Sequence, residues 1–142
     1  MTTKQYLLQI KKINEIIKNR MFDLDELRDL SGSVSSVRYD QDKVITSGNK
    51  DQLENIVARI VDLDRQVKNY IDLKYTIIKQ IESLDSEEYK VLYMRFVNNY
   101  TFDLILARLN TDDVWSERKM YQVYKRGLDN FEKMYGESYL AA

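Results

Sequence analysis

The chain has 142 residues, 22 Lys and Arg against 23 Asp and Glu, no proline, cysteine or histidine, and only four glycines. At ordinary usage roughly seven prolines and ten glycines would be expected, so a chain this poor in helix breakers can run long helices. Without cysteine or histidine there is no disulfide, thiolate nucleophile, His-based triad or conventional zinc site, and a net charge of −1 gives no global pull toward nucleic acid. The expectation is therefore a non-enzyme with no cofactor and no metal. No apolar run approaches the roughly 18 residues of a membrane span. The start, Met1 to Gln5, leads into an amphipathic stretch and not a signal-peptide core, so a cytoplasmic protein with no membrane partner is expected.

Residues 3–30 read as a first helix. Ile10, Ile13, Ile17, Leu24 and Leu27 fall on steps of three and four, Arg20 occupies one core-like slot, and Tyr6, Leu7, Met21 and Leu30 widen the stripe. Residues 31–49 hold five serines and two of the four glycines, periodicity stops, and a mobile loop is expected. Residues 50–84 carry the clearest rhythm. Leu53, Ile56, Ile60, Leu63, Val67, Tyr70, Lys74, Ile77, Ile81 and Leu84 keep strict 3-4 spacing with Lys74 the single polar member. Such a helix is about 50 Å long. The two helices are expected to form an N-terminal coiled-coil hairpin. Val57, Ile71 and Ile78 broaden the stripe beyond a two-helix seam, so residues 1–84 are expected to make a homo-oligomer through Leu53, Ile56, Ile60, Leu63, Val67, Tyr70 and Ile77.

After Leu84 the elements shorten. Asp85 precedes Ser86-Glu87-Glu88, a cap followed by acidic residues, and opens a helix to about Val97 with Tyr89, Leu92, Tyr93, Phe96 and Val97 on its apolar side. Thr101 caps a short helix from Phe102 to Leu109, with Phe102, Ile105, Leu106 and Leu109 inward. Residues 110–113 read as a turn, and Trp115 as a core plug before the cap Ser116. The last helix runs from Glu117 to about Tyr135, with Met120, Val123, Leu128 and Phe131 as core, Gly136 as its C-terminal cap and the last six residues as a frayed tail. The whole is an all-α chain whose residues 85–142 form a three-helix helix-turn-helix module.

In that module the last helix faces a major groove. From Ser116 to Arg126 four basic residues stand against one acidic residue, while the rest of 85–142 has four basic and nine acidic. Arg and Gln suit guanine and adenine edges while Lys and Tyr suit phosphates, and Arg118, Lys119 and Gln122 are expected to read bases with Tyr121, Lys125 and Arg126 holding the backbone. Other clusters carry blander readings. Asp112, Asp113 and Glu117 belong to a turn and cap, most of the eleven tyrosines to packing, and Lys4, Lys11, Lys12, Lys18 and Arg20 to a solvated face.

Residues 88–97 resemble the first helix of the sigma-factor region-four fold, Thr101-Phe102-Asp103-Leu104-Ile105 its second-helix start, and 116–128 its recognition helix. The whole chain resembles a family of small phage-encoded proteins of Gram-positive bacteria, with an Ile60-Val61-Asp62-Leu63 heptad helix and a region-four-like module. ArpU- and RinA-type phage transcriptional regulators share that module. The resemblance implies sequence-specific binding of double-stranded DNA in phage or prophage transcription, through Ser116, Arg118, Lys119, Tyr121, Gln122, Lys125 and Arg126. The chain departs from the pattern in having about four extra residues, 111–114, before Ser116, and Leu106 where a small residue is usual. The rival expectations are a module that docks on RNA polymerase or a sigma factor, and a small terminase-like packaging protein.

Overall fold

The computed structural model of the chain describes residues 1–40 and 47–141. They are all-α, with no strand among the described residues. In chain order the helices are α1 (Thr3–Asp40), α2 (Ser47–Glu82), α3 (Ser86–Leu92), α4 (Phe102–Leu109) and α5 (Glu117–Tyr135). A π turn at Tyr93–Val97 continues α3, and a 3-10 turn at Gly136–Ser138 continues α5. Among the described residues no helix is long and apolar enough to cross a membrane. The chain divides into two compact units, Met1–Asn14 with Leu73–Ala142, and Glu15–Asp72, so α1 and α2 each contribute to both. This differs from the boundary at residue 84 expected from the change in element length.

The unit Glu15–Asp72 is an antiparallel helix pair. Arg20 Nε donates to Gln66 Oε1 at 3.1 Å and Arg28 Nη2 to Asp64 Oδ1 at 3.2 Å, so one partner's number rises as the other's falls. Leu24, Ile56 and Val67 are buried, while Leu53, Ile60, Leu63 and Tyr70 are half-buried. Met21, Leu30 and Val57, expected to widen the apolar stripes, are exposed instead. An open cleft of about 430 Å³ is lined by Arg20, Asp23, Ala58, Arg59, Asp62, Leu63 and Gln66.

The expected loop at 31–49 is largely helix, since α1 runs on to Asp40 and α2 starts at Ser47; residues 41–46 lie outside the described residues. Serine and an isolated glycine lower helix propensity by at most about 1 kcal/mol each, and with no proline nothing forces a break. Among the described residues nothing outside its own helical turn comes within 4 Å of where a Cβ at Gly32 would stand, so the glycine answers no close approach.

In the other unit Leu7 and Ile10 of α1, Ile77 and Ile81 of α2, Leu92 of α3 and Phe131 of α5 are fully buried. Ile77 is thus buried inside the chain, like Ile56 and Val67 in the helix pair. The residues after Gly136 are not a frayed end. Tyr139 is only 3% exposed, stacks on Tyr6 at 4.3 Å, and its hydroxyl shares a 2.7 Å hydrogen bond with Thr3 Oγ1. Tyr6 in turn donates to Gln80 Oε1 at 2.7 Å. Gly136 has φ −56°, an ordinary right-handed conformation, so backbone freedom does not explain it; a Cβ there would lie 2.9 Å from Leu140 Cδ1, the end of an exposed side chain that can move aside. The left-handed corner falls on Asn99, φ 58°, where the chain leaves the π turn.

α3 lies across α5 at Gly127, where a Cβ would be 3.2 Å from the Leu92 side chain and 3.4 Å from Glu88 Cβ. Gly127→Ala should leave stability near wild type, because about 1 kcal/mol of helix propensity offsets the crowding. Gly127→Val should destabilise by about 1–3 kcal/mol in urea unfolding, through overpacking and β-branching.

Burial raises the phenol pKa of Tyr6, Tyr139 and Tyr124 above the ordinary 10.0, by desolvation first in each case. The folded chain therefore ionises these groups later than the unfolded chain does. Stability contributed by them should be complete below pH ~10 and be lost as pH rises through the raised folded-state values. Absorbance titration of tyrosinate, run beside urea unfolding at alkaline pH, should show late-ionising phenols and a falling midpoint over the same range.

Candidate nucleic-acid interface

Each short helix starts at a side-chain cap, as its sequence signal indicated. Asp85 Oδ1 accepts from Glu88 N at 2.9 Å, Thr101 Oγ1 from Leu104 N at 3.3 Å, and Ser116 Oγ from Lys119 N at 3.0 Å. The turn between α4 and α5 is tied at both ends by Asn110. Its Nδ2 donates to Leu106 O at 2.9 Å and its Oδ1 accepts from Trp115 N at 2.7 Å. Trp115 is buried with Val91, Ile105, Leu109, Met120 and Val123, which joins α3, α4 and α5 around one core. Residues 111–114 face outward: Val114 is 87% exposed, and its N–H donates to Asp113 Oδ1 at 2.8 Å.

At about 100° per residue, Met120, Val123, Gly127 and Phe131 occupy one arc of α5, and Arg118, Gln122 and Lys125 occupy an arc of about 60° on the opposite side. The inner four are buried and the outer three exposed. No described residue engages Arg118, Gln122 or Lys125 by hydrogen bond or ion pair. Between the two arcs lie two flanks, and each is occupied.

The flank toward α3 carries Lys119, Arg126 and Asn130. Glu88 of α3 is only 2% exposed, and its Oε1 accepts from Arg126 Nε at 2.9 Å and from Asn130 Nδ2 at 2.6 Å. Arg126 Nη2 also lies 3.7 Å from carboxylate oxygens of Asp85 and of Glu87. The hydrogen bond to Glu88 raises the guanidinium pKa above its ordinary value; desolvation opposes this and the surrounding carboxylates add to it. Lys119 Nζ is 3.1 Å from Glu87 Oε2 and 4.2 Å from the Trp115 ring centroid. Among the described residues no buried side-chain polar atom lacks a partner.

The flank toward α4 is aromatic. Tyr121 lies 5.0 Å from the Phe102 ring and Tyr124 meets Phe102 edge-on at 5.1 Å. The Arg95 guanidinium sits 4.3 Å over Phe102, and its Nη1 donates to Tyr100 O at 2.9 Å.

The seven residues singled out on α5 and its cap thus separate. Ser116 is the cap, Arg118, Gln122 and Lys125 face outward unengaged, and Tyr121 leans on Phe102 while 41% exposed. Lys119 and Arg126 are held by carboxylates of α3. Sequence reasoning missed Glu87, Glu88 and Asn130 as their partners. The available signal was angular: Lys119, Arg126 and Asn130 fall within about 40° of one another on α5, between the core stripe and the outer face. On α1, Lys4, Lys11, Lys12 and Lys18 are exposed, and Arg20 is the member with a partner, Gln66. No protein-family model, curated protein or solved structure matches the chain.

The Glu88 site should be asymmetric under mutation. Arg126→Ala leaves a carboxylate buried with Asn130 alone and should cost about 2–3 kcal/mol, below the full buried-pair penalty because the guanidinium is half-exposed. Glu88→Gln leaves a guanidinium that water can solvate and should cost less. Urea midpoints of the two variants check the order.

Proposed function

We propose that residues 85–142 are a helix-turn-helix module that binds double-stranded DNA through α5, and that the protein is a transcriptional regulator of phage or prophage origin. The carrying observation is the outward stripe of Arg118, Gln122 and Lys125, unengaged on a helix whose other three sides are occupied. The stripe spans about 10 Å, a length that fits within a major groove about 12 Å wide. On this reading Arg118 and Gln122 read base edges, Lys125 and Tyr121 contact phosphates, and Ser116 fixes the helix start. The resemblance of 88–97, 101–105 and 116–128 to region four supports the same assignment. Residues 1–84 would act as a coiled-coil hairpin that pairs two modules and raises their effective concentration on DNA.

A second reading has its own support. With Lys119 and Arg126 tied to carboxylates, α5 offers little free positive charge, while Leu104 and Val114 are exposed on α4 and the adjoining turn. That favours a module docking on RNA polymerase or a sigma factor.

Selection of sites from random duplex DNA separates the two readings, with light scattering on the same sample for stoichiometry. Enrichment of a motif supports DNA binding, and no enrichment turns the assignment to a protein partner. On an enriched site Arg118→Ala should cost about 1–3 kcal/mol and relax one base position, while Lys125→Ala should weaken all sequences alike and lower the salt slope by about 1. If neither variant changes binding, α5 is not the recognition helix.

A further inference from the structure

The first turn of α3 brings three carboxylates to the flank of α5, and they differ in accessibility. Glu88 is buried and closes a hydrogen-bonded site with Arg126 and Asn130. Asp85 caps α3 through its backbone contact to Glu88 N and lies 3.7 Å from Arg126. Glu87 does neither job. Its side chain is 43% exposed, one oxygen is 3.1 Å from Lys119 Nζ, and the other is 3.7 Å from Arg126 Nη2. Each oxygen therefore faces a different cation, and both cations adjoin the outward stripe at Gln122, which lies three residues after Lys119 and four before Arg126.

We propose that Glu87 is a built-in brake on phosphate binding by α5, holding Lys119, and in part Arg126, against α3 and out of reach of a polyanion. The proposal rests on the DNA-binding reading and adds to it a residue that touches no nucleic acid. The physical argument is competition. Ion pairs between half-exposed side chains are weak and exchange readily, so a phosphate and Glu87 compete for the same ammonium group. A lysine paired with a carboxylate displaces a counterion from the DNA only once that pair is broken, so the net release on binding is smaller. Arg126 keeps Glu88 when Glu87 is replaced by glutamine, so the group set free is chiefly Lys119.

Glu117 supplies the control. It is exposed at the start of α5, carries the same charge and engages no described residue. Replacing it changes the net charge by the same amount without releasing a paired cation.

The test is binding of the full chain to a random-sequence DNA duplex between about 50 and 200 mM salt, for wild type, Glu87→Gln, Glu117→Gln and Glu87→Gln combined with Lys119→Met. Glu87→Gln should steepen the slope of log K against log salt by about 0.9 and tighten binding about eightfold near 100 mM, the effect of one more released counterion. Glu117→Gln should leave the slope unchanged, and the double variant should return it to the wild-type value. Glu87→Ala should repeat the Glu87→Gln result, and circular dichroism checks that each variant is helical. If wild type binds and Glu87→Gln matches it, or matches Glu117→Gln, the brake is disproved while the DNA reading stands. If neither wild type nor Glu87→Gln binds at about 50 mM salt, the DNA reading falls and the brake with it.

Discussion

The buried carboxylate of Glu88 is the constraint on which the arrangement of the short helices depends. A carboxylate taken out of water is costly unless charged or strongly polar donors replace the lost solvation. Here both donors reach one oxygen from α5, Arg126 at 2.9 Å and Asn130 at 2.6 Å. They sit four residues apart on one flank of the helix, and Gly127 between them removes the side chain that would hold α3 away. Close approach and charge satisfaction are thus a single arrangement. The glycine lets the helices touch, and the touching brings Glu88 within reach of its donors.

Fixing one flank of α5 fixes the rest. Once Arg126 and Asn130 are turned toward α3, Met120, Val123 and Phe131 must point into the unit, and Tyr121 and Tyr124 must meet Phe102. The arc holding Arg118, Gln122 and Lys125, with Asp129 a turn further on, faces away from these contacts and is open to solvent or a ligand. Trp115 sets the axial position of the same helix. Its backbone is held by Asn110 and its ring is buried among residues of α3, α4 and α5. The connection between α4 and α5 therefore holds the start of α5 in place, because it bulges outward at Val114 while its two ends stay tied.

What the sequence made legible follows the range of each interaction. Caps act over three residues, and Asp85, Thr101 and Ser116 were each readable as caps from local pattern alone. The 3-4 rhythm of α2 acts over the helix length, and its members Ile56, Val67, Ile77 and Ile81 are buried where the rhythm puts them, while Leu84 is buried just beyond the helix end. Pairings far apart in sequence were not readable. Tyr139 finds Thr3 and Tyr6 across nearly the whole chain, and a lone aromatic after a glycine has no periodicity to announce it. Glu88 has the same difficulty in sharper form. An acidic residue in the first turn of a helix has a sufficient local reason in the helix dipole, and that reason masks its role as a buried partner of Arg126. The composition of 31–40 misled for a different reason, since serine and glycine lower helix propensity without forbidding helix.

The same geometry limits how the proposed DNA reading can work. Arg118 and Lys125 are the unengaged cations of the outward stripe, so one module would neutralise about two phosphates and show a salt slope near −2. Binding that shallow is weak at physiological ionic strength, and a specific site then requires two modules on one DNA. The expected pairing residues do not all remain available for that. Ile56, Val67 and Ile77 are already buried within the single chain, and exposing them to a second copy would unpack the helices they hold together. Pairing that leaves the fold intact has to use side chains still facing out, and on the Glu15–Asp72 helix pair those include Val57 and Val61, one turn apart on α2. Any pairing of two chains would therefore draw on a different face of α2 from the one that chain folding uses. A substitution at Val61 should separate them, lowering association while leaving the urea midpoint of the monomer in place, whereas one at Val67 should lower both.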